Sequence, residues 1–300
     1  MLTATEDRPT AAAQQTACAA DLVTCGSLEM SPDRIAEVAT IAALLPVGTK
    51  VYVNHLPRHD IAASIATLIA LRKAGLEPVP HIAARRIASR EALESFLKRA
   101  SREAGVTKVL LIGGDEPQPR GLYPDSVALL RDGIFTQFGV REIGIAGYPE
   151  GHPRIPPVVI DNCLRAKLEV AARQGLGIHM VTQFSFAPTR VVEYCAVMAR
   201  EFPSLPVYVG LAGPTEPRTL LRFAQRCGVS ASLRALKDQG MAAVRLVTHT
   251  DPGEQLAALA HYCLGHTSCN VVGVHLFSFG SAVKSAQWMG GMIARGLRTE

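Results

Sequence analysis

Aromatic side chains are scarce in this chain: Phe, Tyr and Trp together make up 5% of its 300 residues. Basic residues are spread out as well, with no run of Lys and Arg longer than pairs such as Arg85-Arg86. A nucleic-acid footprint clusters positive charge and interleaves it with aromatics, so the net charge of +5 reads as a solvated surface and nucleic acid is not expected as a partner. Metal-ligand spacings are missing too: there is no CxxC, HxH or HExxH, and no carboxylate-rich cluster. His55 and His59 are four apart, but Pro57 between them breaks a shared helical face. No metal is expected.

The seven cysteines are odd in number and scattered through apolar segments, which suits a reducing compartment and points to the cytoplasm. No stretch offers about eighteen uninterrupted apolar residues, so no membrane span is expected. Residues 1–20 lack the basic start and apolar run of a signal peptide and read as a flexible tail.

What is present is a core-forming composition, 48% hydrophobic and 19% charged with a mean hydropathy of +0.17. Short β-rich runs begin at 21–30 and recur at 50–56, 77–83, 108–115, 141–149, 177–184, 205–213 and 269–279. Amphipathic segments lie between them, several ending in Gly as a left-handed helix cap requires. Eight strands alternating with helices predict an α/β fold, a single-domain (β/α)8 TIM barrel over 21–300. A further helical stretch at 230–249 reads as an insertion before the eighth strand. The alternative, an open doubly wound sheet, is disfavoured because no GxGxxG follows the first strand.

Barrels of this kind carry their active sites at the C-terminal strand ends. Polar residues collect there: Glu29, Asn54, His55, His81, Asp115, Tyr148, Glu150, His152, Gln183 and Ser278. Glu29 lies between Leu28 and Met30. Apolar surroundings raise a carboxyl's pKa, which suits a general acid; a solvated Glu before a helix is the plainer alternative. Asp115 follows Gly113 and Gly114, so a flat ligand can approach the backbone and meet one fixed carboxylate; a helix-capping Asp in a tight turn fits the same pattern. Gln183 offers a donor and an acceptor to the paired edges of a pterin-like heterocycle, or to a loop.

The segments "LEMSP" at 28–32, "PHIA" at 80–83, "GGDEP" at 113–117, "AGYPEGHP" at 146–153 and "VTQFSF" at 181–186 together resemble the methylenetetrahydrofolate reductase family. The resemblance implies a flavoprotein in which NADH or NADPH reduces FAD, and the flavin then reduces 5,10-methylenetetrahydrofolate to 5-methyltetrahydrofolate, the one-carbon donor of methionine synthesis, or runs in reverse. It implies Glu29 as general acid, Asp115 as a catalytic group by flavin and pterin, and Gln183 as a folate contact. Flavin contacts are implied for Asn54, His81, Gly114, Tyr123, Tyr148 and His152, with Asp161 and Lys167 toward the ribityl, phosphate or adenosine part.

Three positions depart from that family. Gly113 stands where an Arg is usual, Ser281 where a second Arg is usual, and Pro217 near the place of a stacking aromatic. Arg85, Arg86 and Arg120 are the candidate replacement charges. The resemblance implies tetrahydrofolate derivatives as partners, and the large exposed helices of a barrel commonly support homo-oligomers. A pterin barrel transferring methyl without redox chemistry, or a catalytically degenerate subunit, would keep some of the same residues.

Overall fold

The computed structural model describes residues 10–55, 61–226, 229 and 251–297. Eight parallel strands close into a barrel in sequence order: β1 (Ser27–Met30), β2 (Lys50–Val53), β3 (Glu77–Ala83), β4 (Lys108–Ile112), β5 (Glu142–Gly147), β6 (Gly177–Thr182), β7 (Val207–Ala212) and β8 (Val271–Phe277). The predicted (β/α)8 barrel is the observed fold. The predicted insertion at 230–249 lies outside the described residues, as does His59.

The helices are α1 (Ala11–Thr24), α2 (Val38–Leu44), α3 (Ile65–Lys73), α4 (Arg90–Ala104), α5 (Ser126–Arg131), α6 (Ile134–Gln137), α7 (Pro157–Arg173), α8 (Pro188–Glu201), α9 (Pro217–Arg226), α10 (Gly253–Gly265) and α11 (Ala282–Gly296). Local sequence sets several boundaries. Ser89 caps α4 by accepting from Ala92 N, and Gly105 ends it in the left-handed region at φ 59°. Gly133, at φ 75°, separates α5 from α6.

The expected tail is corrected by α1. Residues 11–20 are helical, started by Thr10 as N-cap, and Ala19 and Ala20 are buried. The helix packs against α10, α11 and β8, and Gln15 Nε2 donates to Ala257 O at 2.9 Å. The first strand is correspondingly shorter than 21–30, because Asp21–Thr24 complete this helix.

Outward-facing strand residues such as Leu28, Val51, Val53, Val109 and Leu111 join the helices in the main core. The inward face has its own cluster of Tyr52, Val79, Leu110 and Val181, as alternation along a strand demands. A polar column continues beneath it. Tyr52 Oη lies 2.9 Å from His179 Nε2, and His179 Nδ1 lies 2.6 Å from Glu142 Oε1. Lys108 then bridges Glu142 at 3.3 Å and Glu77 at 3.4 Å. Since Glu77, Lys108 and Glu142 open β3, β4 and β5, the column ends at the N-terminal mouth. Gly144 makes room for it: a Cβ there would stand 2.8 Å from His179 Nε2.

Candidate active site

At the C-terminal mouth, Glu29 points inward from β1 with its side chain 12% exposed. Its Oε2 accepts from Asn54 Nδ2 on the β2 side at 3.2 Å. Its Oε1 faces two imidazoles, His81 Nε2 of β3 at 3.6 Å and His275 Nε2 of β8 at 3.7 Å. Both nitrogens are buried and otherwise unpartnered. Ser278 Oγ donates to the Glu29 carbonyl, joining the two ends of the chain's barrel at this residue.

The electrostatics differ from the sequence expectation. Burial is the largest influence on Glu29 and pushes its carboxyl up, but His275, the charge on His81 and the Asn54 hydrogen bond together pull it below the ordinary value. Burial lowers His81 to about 4, only partly offset by Glu29. His81 is therefore neutral near neutral pH, which removes its charge from the forces that lower Glu29. Glu29 is a group whose proton affinity depends on how its neighbours present their N–H groups.

The β4 loop forms the second part. Asp115 projects with its side chain 84% exposed and accepts from Arg154 Nη2 at 3.2 Å. The ground before it is open: a Cβ on Gly113 would meet nothing within 4 Å, and Gly114 sits at φ +95°. The loop is held from below. Arg85 N donates to Gly113 O at 2.9 Å, the Arg85 guanidinium donates to Pro117 O and Pro124 O, and Arg86 joins Glu116 to the carbonyl of His55. Arg120 lies 3.9 Å from Glu116. The arginines singled out as replacement charges are thus committed to the loop's own structure, and the cation beside Asp115 is Arg154, which sequence reasoning did not single out.

Tyr148 and His152 meet edge to face at 5.2 Å, and His152 Nδ1 accepts from Arg154 N at 3.2 Å. Burial raises the Tyr148 phenol and, with Arg154, lowers His152. Lys167 on α7 is half-buried, and burial lowers its ammonium. Asp161, one turn and a half earlier, pairs with Arg165 at 3.0 Å. Tyr123 is turned inward: it is buried and donates to Asp132 Oδ2 at 2.9 Å. The structure does not bring its hydroxyl to the mouth.

Gln183 follows β6, and its Oε1 accepts from Phe184 N at 3.1 Å. Its amide nitrogen makes no hydrogen bond among the described residues. Beside it stands an aromatic wall that the sequence reading missed. Phe184 packs with Phe186, Phe277 and Phe279 at centroid distances of 5.7, 5.4 and 5.1 Å, and Phe223 of α9 meets Phe279 at 5.0 Å. Phe279 is the one non-glycine residue at positive φ among the described residues, at 50°, in the turn just after Ser278. Also missed were Ser27 and His275. Ser27 opens β1 and His275 lies within β8, so neither stands at a C-terminal strand end; the signal was alternation: Ser27 shares the inward face with Glu29.

Comparison with known proteins adds a family. The family model described as methylenetetrahydrofolate reductase matches residues 35–234, about two thirds of the chain. Among solved structures, 3-dehydroquinate dehydratase from Aquifex aeolicus is 9% identical at a TM-score of 0.48, covering 90% of this chain and 97% of that one. Dihydropteroate synthase from Thermus thermophilus is 14% identical at 0.45, covering 90% and 93%. Delta-aminolevulinic acid dehydratase from Toxoplasma gondii is 12% identical at 0.44, covering 84% and 76%. At such values these likenesses carry nothing about activity.

Proposed function

Since the chain belongs to the methylenetetrahydrofolate reductase family, we propose that it reduces 5,10-methylenetetrahydrofolate to 5-methyltetrahydrofolate with FAD as cofactor and NADH as electron donor. The observation that carries this reading is Glu29, a nearly buried carboxyl at the barrel mouth, gripped on one oxygen by Asn54 and faced on the other by two imidazoles. In the free site its neighbours favour the ionised form; a substrate that displaces water from the mouth strengthens the burial that already pushes the carboxyl up, and so favours the protonated form that donates. In this reading Glu29 gives its proton to the folate nitrogen that leaves as the methylene bridge opens. Asn54 fixes the carboxyl's orientation, and Gln183 offers its amide N–H to the pterin.

The residues present fit FAD. The open face of Gly113 leaves space for a flat ring, with Asp115 as an acceptor at its edge. Tyr148 and His152 stand beside that space, reached through Arg154. Lys167, whose ammonium burial disfavours, would regain charge beside a phosphate, with Asp161 on the same helix toward the adenosine part. When bound, FAD would take hydride from NADH and pass it to the folate carbon. Arg154 would supply the cation that the family's usual Arg at position 113 provides.

The test is turnover of the purified chain with NADH carrying deuterium on the transferred position, with and without FAD. The reading expects NADH to be consumed and 5-methyltetrahydrofolate to form only when FAD is present, with the label diluted by solvent hydrogen on the way; full label in product formed without FAD would mean direct transfer and overturn the flavin part of the reading. Methyl transfer without NADH consumption, or no product at all, would replace it with the methyl-transfer or degenerate-subunit alternatives.

A further inference from the structure

Beneath Glu29, inside the barrel, His275 is fully buried, with its Nδ1 2.8 Å from Ser27 Oγ and its Nε2 3.7 Å from Glu29 Oε1. Ser27 is fully buried too, and its hydroxyl makes one hydrogen bond among the described residues, the one to His275. Either direction is open to this pair; with the Glu29 carboxyl facing Nε2, the arrangement that serves both ring nitrogens has the hydroxyl donating to Nδ1. The imidazole then carries its hydrogen on Nε2, aimed at the carboxyl of Glu29. The ring is held in that orientation by edge contacts with Tyr52 at 4.7 Å and Phe277 at 4.9 Å.

A carboxylic acid that gives up its proton leaves a negative charge behind. In a dry site that charge is costly unless a donor already points at it. Asn54 serves one oxygen; among the described residues the other meets only the two imidazoles, at 3.6 and 3.7 Å. We propose that His275, its tautomer set by Ser27, is a positioning residue for Glu29, whose Nε2–H stabilises the carboxylate left on Oε1 when the proton passes to substrate. The proton moves from Glu29 to the substrate nitrogen, while His275 gives only a hydrogen bond to the oxygen left behind. The 3.7 Å separation shortens into a hydrogen bond as charge develops, as catalytic contacts often do on leaving the ligand-free state. This inference rests on Glu29 being the general acid of the proposed reaction.

The groups facing this pair are few. His81 from β3 approaches the same oxygen at 3.6 Å, Asn54 holds the other, and the Tyr52 ring of β2 separates His275 from His179 of β6. Removing the His275 donor therefore has one expected sign. The ionised form of Glu29 loses support and its pKa rises.

The test uses Ser27→Ala, His275→Leu and His275→Gln in the full chain. Infrared difference titration follows the protonated-carboxyl band that Glu29→Gln abolishes. It is expected to shift to higher pH in Ser27→Ala and His275→Leu, and to return toward wild type in His275→Gln, whose amide also donates. In turnover, kcat with the folate should fall at least ~10-fold in His275→Leu, with a smaller change in KM and the pH profile displaced in the same direction. Should His275→Leu fail to fold, Ser27→Ala carries the same comparison with only a hydroxyl removed. An unshifted band in Ser27→Ala, and in His275→Leu where it folds, overturns the proposal. A shifted band in a protein with no folate turnover would instead overturn the functional reading and leave the coupling of His275 to Glu29 standing.

Discussion

Glu29 shows how far single residues can be read. Its position was legible because a glutamate between Leu28 and Met30 at a strand end has no packing reason to be there. Its electrostatic setting was not legible, because the imidazoles that face it come from β3 and β8, 52 and 246 residues away by number (29 to 81 and 29 to 275). Burial alone would raise the carboxyl, whereas the assembled neighbours lower it. Glu29→Gln keeps the shape and removes the proton. It is expected to slow the folate half-reaction by at least ~100-fold, with a far smaller effect on reduction of the cofactor by NADH. Stopped-flow measurement of the two halves checks this, and equal slowing of both would remove Glu29 from its role. Asp115 was likewise visible as a carboxylate after two glycines, but its partner Arg154 was not, since 39 residues separate them.

At the scale of elements, local pattern served well where the chain alternates and poorly where it does not. Strands β2 to β8 all fall within the predicted runs, because their apolar stretches are bounded by turn residues. The segment 11–20 was misjudged because alanine, glutamine and threonine give little amphipathic contrast, and its burial arises from small residues meeting α10 and α11 closely. Gly296 marks that closeness: a Cβ there would lie 2.2 Å from Ala20 Cβ. Deleting residues 1–20 is therefore expected to lower Tm, by about 5 °C or more given the loss of a packed helix from a domain of this size. Thermal unfolding of the truncated chain checks it. An unchanged Tm would return this segment to the status of a tail.

For the whole molecule, the count of eight alternations was enough to predict closure, because eight βα units have one common way to bury both faces of a parallel sheet. The interior was not predictable in the same way. The column from Tyr52 through His179 to Glu142, Lys108 and Glu77 exists only once the strand register is set. It makes a pH prediction. The His179 hydrogen bond, outweighing burial and aided by Lys108, holds Glu142 at about 2. A carboxylate depressed on folding stabilises the fold above its unfolded pKa, and that contribution is lost as pH falls from about 4.5 toward 2. Glu142→Gln should therefore flatten the acid limb of a stability-versus-pH curve by on the order of 2 kcal/mol, measured by urea unfolding from pH 7 to 3; parallel curves for the two proteins would contradict it. The central claim, that the barrel mouth passes hydride to a folate through FAD with Glu29 as the acid, is tested most directly by visible absorbance of the purified protein with FAD, under anaerobic conditions, through successive additions of NADH and methylenetetrahydrofolate. The account predicts a flavin band that bleaches with the first and returns with the second. A protein that takes up no flavin, or whose bleached band the folate leaves unchanged, would contradict it.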